Sequence, residues 1–233
     1  MHNLNHFYET FICMSTNSES FIRSQKSLAV VTVLYLLAVT LLASVALAGL
    51  DRGVSLENFT RDTTAVAGVN PFTGVISNLG ILLWCAGASI CLFCFFVASD
   101  RRNQKTNRYT SFILFFGLTT FVLMLDDLFL FHEVIAPKIL HIPELLVLFS
   151  YGITVLYGIT KFKRVIFQTE WIILALAFSF FSLSLTIDML EDAITLAEPI
   201  FLEDSFKFLG IISWVYYLII ASVQIEKNCD LLE

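Results

Sequence analysis

Asp126, Asp127, His132 and Glu133 stand together at the end of a run apolar enough to cross a bilayer. Three carboxylates and an imidazole are costly there, and chains keep them to bind a metal, move a proton or line an ion path. Carboxylates with a single His suit a hard or borderline divalent cation (Mn, Fe, Zn, Mg or Ca) better than a His-rich zinc site. The paired Glu-x-x-His motifs of bundle di-iron sites are missing. His132-Glu133 runs on as Val134-Ile135-Ala136, without the second His of the H-E-x-x-H pattern. There is no G-x-S-x-G and no phosphate-cradling G-K-[ST] loop.

The elements that must position these groups are membrane helices. Of 233 residues, 57% are hydrophobic and only 15% charged, against about 25% charged in soluble domains. About 30 Å of hydrocarbon needs about 20 apolar residues, and backbone polar groups in lipid must be bonded within a helix. Six such spans are expected, at Leu28–Leu50, Val75–Ala98, Tyr109–Phe131, Glu144–Thr160, Trp171–Leu190 and Ser205–Ile225. The fold class is all-α, a polytopic six-helix membrane bundle over 28–227. A polar, poorly ordered segment (1–27) precedes it and a short tail (228–233) follows. Ala46-Leu47-Ala48 ahead of Gly49 imitates a signal-peptidase site, but the long polar segment before it favours an uncleaved span. Five cysteines, three of them in one apolar run, do not form a disulfide framework. Cys91-x-x-Cys94 reads as packing. The net charge of −6, with no basic tract, excludes nucleic acid as a partner.

Orientation follows from Lys and Arg. With the N-terminus inside, ten of the 14 fall in inner segments, including Arg101-Arg102 and Lys161 to Arg164. The positive-inside rule then puts both termini in the cytoplasm of a plasma or inner membrane. The acids consequently gather outside. Asp126 lies 17 residues after Tyr109 and Asp188 17 after Trp171, so each is about 26 Å along its helix, near the outer end. Glu144 opens the fourth span there, and Glu203, Asp204 and Lys207 open the sixth.

Helical phase selects among them. At about 100° per residue, Asp126, Leu130 and Glu133 share a face; so do Asp188, Glu191 and Asp192, and so do Glu203, Lys207, Gly210 and Trp214. An unbroken helix turns Asp127 and His132 about 100° and 120° away from Asp126. A helix that ends before His132 would lift that restriction. The expected metal ligands are therefore Asp126, Glu133, Asp188, Asp192 and Glu203, with His132 as proton carrier and Lys207 as charge partner. Asp127, Glu144, Glu191 and Asp204 are secondary candidates. Each has a plainer role open to it. Asp126 and Asp188 would serve as interhelical hydrogen-bond acceptors, and Glu144 after Pro143 as a first-turn carboxylate facing the helix dipole. Lys207 would make an ordinary i, i+4 pair with Glu203.

Three function classes fit this pattern. The foremost is a metal-dependent membrane enzyme, a hydrolase or oxidoreductase, acting on a lipid or other apolar substrate. The second is a cation or proton transporter or channel, which needs polar residues continuing inward. The third is a non-catalytic membrane subunit or assembly factor. The lipid bilayer is a partner in all three, and the oligomeric state is left open.

Overall fold

The computed structural model describes residues 31–51, 63–99, 104–190 and 198–230, with Ala29, Gly53, Asn58 and Arg61. The expected polar segment 1–27, and Glu191 and Asp192, lie outside the described residues. The described chain is helical, with no strand among the described residues, and six of its helices are long and apolar enough to cross a membrane. It forms two compact units, Met1–Thr73 and Gly74–Glu233.

In the first unit, α1 (Val31–Asp51) is a span whose large side chains are exposed all round, as Tyr35, Leu37 and Leu41 show. The short helix α2 (Thr63–Ala67) follows. In the turn after α2, Asn70 Oδ1 accepts the Phe72 N–H (2.9 Å) and Asn70 O accepts the Thr73 N–H (2.9 Å).

The second unit holds α3 (Val75–Ser99), α4 (Gln104–Phe129), a π-helical segment (Phe131–Ile139), α5 (Glu144–Ile166), α6 (Trp171–Leu190) and α7 (Pro199–Asp230). Helix α3 packs on α4 and α7, and α6 packs along α7; α5 leans on α4 and the π-helical segment. Trp214 of α7 is the centre of the core. Its ring meets Trp84, Phe116, Phe178 and Phe181 at centroid distances of 5.7–6.5 Å. Its indole N–H donates to buried Thr120 Oγ1 (2.9 Å), so a polar donor inside the core has its acceptor. Gly210 admits Phe181 closely, as its place beside the acidic stripe of α7 suggests; a Cβ there would lie 2.6 Å from the ring. The small residues Ser150, Thr154 and Gly158 are covered at Gly158 alone, by Phe115, while the first two stay exposed. Cys91 is fully buried and Cys94 partly so, in keeping with packing.

Two helices outrun their expected ends. Helix α5 continues six residues past Thr160, through a kink at Phe162 (φ −105°, ψ 15°). Lys161 lies over the Tyr157 and Phe162 rings (5.3 Å each). Its long stem and charged head are thus accommodated on a helix rather than in a loop. Helix α7 starts at Pro199, whose fixed φ suits a first helical position. Glu203 and Asp204 are therefore inside the helix, not ahead of it, and the helix runs through residues 228–230 of the expected tail.

Candidate functional site

The geometry of the site begins at Leu130. Helix α4 stops at Phe129, and Leu130 takes a left-handed conformation (φ 51°, ψ 46°). A non-glycine residue there costs roughly 1–2 kcal/mol. The chain then rewinds as a wide helix: Ile135 N donates to Leu130 O (3.2 Å) and Leu140 N to Ile135 O (3.0 Å), each spanning five residues. Such π-helical turns are rare and gather at functional sites.

The break folds His132 back over Asp126. The His132 backbone N–H donates to Asp126 Oδ1 (3.0 Å), and its Nδ1 pairs with Asp126 Oδ2. The Tyr151 hydroxyl of α5 donates to the same Oδ1 (2.8 Å). Asp126 and His132 are both buried. Burial by itself would pull the His132 pKa down. The bond to Asp126 and the Asp126 charge outweigh it, with Lys207 opposing and Glu133 assisting, and the pKa stands above the ordinary 6.5. The free Nε2 lies 3.5 Å from Glu133 Oε1.

Asp127 forms a second pair one residue away. Its Oδ2 accepts the Trp84 indole N–H (2.9 Å) from α3, and its Oδ1 meets Lys207 Nζ of α7 (2.9 Å). Lys207 is thus a charge partner as expected, but across helices to Asp127 rather than along α7 to Glu203. Helical phase likewise misleads for His132 and Glu133. His132 turns inward and the Glu133 side chain is 46% exposed, because the left-handed residue resets the phase.

These groups head a cavity of about 850 Å³. Asp126, Asp127, Glu133, Glu144, Asp188, Glu203, Asp204, His132 and Lys207 all line it, so every described candidate from the sequence reaches one space. Its remaining wall is mostly apolar, with Leu123, Leu148, Val155, Ile159 and Phe178, and includes the hydroxyl residues Tyr151, Ser182 and Ser184. Three lining residues, Leu156, Leu185 and Ile200, are also 60%, 45% and 63% exposed, so the cavity opens outward between apolar edges.

The acids do not, however, share one coordination sphere. Among the described residues, the one group of three with ligand atoms within 4.8 Å of one another is Asp126, Asp127 and His132. Asp188, Glu203 and Glu133, expected as ligands, do not join such a group. All four oxygens of Asp126 and Asp127 already accept hydrogen bonds or an ammonium.

Two contributors were not singled out from the sequence: Trp84 and Tyr151. Each is a polar group on an apolar span. A Trp or Tyr buried in such a span needs an acceptor, which was the available signal.

Residues 30–221 match the family described as Domain of unknown function (DUF8692). No curated protein and no solved structure matches the chain.

Proposed function

The chain belongs to that family, and we propose that it is a membrane-embedded enzyme performing acid–base chemistry on an amphiphile that reaches the cavity from the bilayer. The observation that carries this reading is the buried Asp126–His132 pair at the head of a cavity with apolar walls. Asp126 holds the ring through Nδ1 and the backbone N–H, and Tyr151 fixes the carboxylate. His132 lines the cavity with its Nε2 3.5 Å from Glu133 Oε1, and the Asp126 bond is the arrangement by which a carboxylate orients a histidine base and stabilises its imidazolium. Hydrolysis by a water that His132 deprotonates is the simplest such reaction.

A metal centre is the competing chemistry, and the Asp126–Asp127–His132 group is its place. An ion there would have to displace Lys207 from Asp127 and break the Asp126–His132 bond, which favours proton transfer. A channel is disfavoured on other grounds. Ser111, Thr119, Thr120, Ser179, Ser182, Ser184, Thr186 and Ser213 would have to continue a polar path inward, yet the hydroxyls of Thr119, Thr120, Ser179, Thr186 and Ser213 each bond a carbonyl of their own helix (2.7–2.9 Å), and of the eight only Ser182 and Ser184 line the cavity.

One preparation tests the enzyme. Purified protein is reconstituted with a total lipid extract, and products and bound metals are measured together. A lipid product formed by the wild type and lost in His132→Ala is expected. Identical lipid profiles for both, at equal folded amounts, would overturn the reading. Stoichiometric metal that disappears in Asp127→Asn would replace the proton-transfer pair with a metal centre.

The Lys/Arg distribution supports a site facing away from the cytoplasm, with both termini inside a plasma or inner membrane. Tags at either end should resist protease in intact cells; digestion from outside would reverse the assignment.

A further inference from the structure

The cavity carries a charge imbalance that proton transfer does not use. Asp126 is matched by His132, and Asp127 by Lys207. Glu144, Asp188, Glu203 and Asp204 also face the cavity, and among the described residues none of the four is in a close ion pair, although the charge of Lys207, already paired with Asp127, reaches Glu203 and Asp204. They come from the first turn of α5, the last turn of α6 and the first two turns of α7. Carboxylates on a low-dielectric wall focus a negative potential and raise the local concentration of cations.

A second feature points independently to an occupant. Ser184, on α6 one turn before Asp188, lines the cavity and is 6% exposed. Its helix neighbours Ser179 and Thr186 bond carbonyls four residues back, at 2.9 and 2.7 Å. Among the described residues no protein group bonds the Ser184 hydroxyl, and its oxygen is not sealed off from the cavity that Ser184 lines. Its hydrogen bond is therefore left for an occupant of the cavity or for water. Beyond it the wall is chiefly Val155, Ile159 and Phe178, with Ser182 as its other serine.

We infer that the cavity binds an amphiphile with a cationic amine head. The head sits among Glu144, Asp188, Glu203 and Asp204. Ser184 bonds a hydroxyl, carbonyl or ester oxygen just below it, and the alkyl chain runs along Val155, Ile159 and Phe178. The exposed edges at Leu156 and Leu185 let the chain pass in from lipid without losing apolar contact. This names the substrate class for the acid–base reading and rests on it.

Binding can be measured without turnover, because Trp84 and Trp214 both line the cavity. The full chain carrying His132→Ala, in uncharged maltoside micelles, is titrated with alkyl probes brominated in the tail, and tryptophan quenching is followed. Three probes share one chain length: an amine, an alcohol and a sulfate. Saturable quenching by the amine at a concentration about tenfold or more below the alcohol is expected, corresponding to about 1.4 kcal/mol. The sulfate should not saturate. Asp188→Asn with Glu203→Gln should erase the preference for amine over alcohol. Ser184→Ala should weaken a 2-hydroxyalkylamine but not the plain amine. Equal quenching by all three probes would overturn the inference, as would an amine preference that survives the double variant. Calcium or manganese chloride added alone distinguishes the source of positive charge. If either ion blocks the amine at micromolar level and binds in its own right, the site is for an inorganic cation and the amphiphile is rejected. Lipid turnover by the wild type without amine selectivity would sink this inference alone. Amine selectivity without turnover would sink the enzyme reading, not the assignment of the binder.

Discussion

Asp126→Asn is expected to slow lipid turnover roughly a hundred- to ten-thousand-fold, the usual contribution of a positioned acid–base group. The amide keeps the volume but loses the charge that holds His132 in place and favours its imidazolium. The pH profile separates this from mere damage. His132 titrates above 6.5 in the folded chain, and as a base it works only when deprotonated. Wild-type kcat/KM should therefore rise as pH passes upward through that raised pKa. Asn at 126 removes the groups chiefly responsible for the rise, so the limb should move to lower pH. Stability runs the opposite way. A group whose folded pKa is raised contributes its full stabilisation below the unfolded value, near 6.5, and loses it as pH climbs through the folded value. The wild type should thus gain activity over the same interval in which its unfolding temperature declines. An unshifted activity limb in Asp126→Asn would show that some other group titrates.

Lys207→Met should cost about 1–3 kcal/mol, between the penalties for breaking a surface and a buried ion pair, because the Lys207 side chain is 31% exposed. The Asp127 side chain is 11% exposed, and its other oxygen is bound to the Trp84 indole. Without the ammonium, a carboxylate remains at a helix end with one neutral donor. Methionine keeps the apolar stem, so packing changes little. Asp127→Asn combined with Lys207→Met should recover most of the loss, since an amide can still accept from Trp84. Chemical unfolding in detergent gives the double-mutant cycle. A loss below about 1 kcal/mol for the single variant would mean that the pair behaves as a solvated surface pair.

The six spans were legible because lipid leaves a long apolar run few alternatives to a helix. The convergence of acids was legible too: alternating helix directions bring Asp126, Asp188 and Glu203 to one end of the second unit. Membership of the inner set was not. Extending a uniform helix through Leu130 is reasonable, since leucine is a good helix former, and nothing local to that residue announces a left-handed turn. The break is imposed from outside, by Asp126 capturing the His132 backbone and ring. For the same reason Glu133 looked internal and His132 did not. The role of Lys207 as a charge partner was legible but its partner was not, because Glu203, four residues earlier, is a competent partner by spacing alone. Only the packing of α3, α4 and α7 brings Asp127 and Trp84 closer to it. Tyr151 was hidden because a hydroxyl in an apolar span gives no sign of which acid on another helix it will meet.

The turn at Leu130 also fixes what kinds of change this segment can absorb. Residues 128–131 make no side-chain bond that defines the site; they count out the distance between a carboxylate and the imidazole that must close on it. Replacing Leu128 or Phe129 by another apolar residue leaves that count intact. One residue inserted or deleted leaves every functional group in the chain, yet swings His132 by about 100° off Asp126. Here length is the constrained quantity and side-chain identity the free one, the reverse of what holds around Trp214.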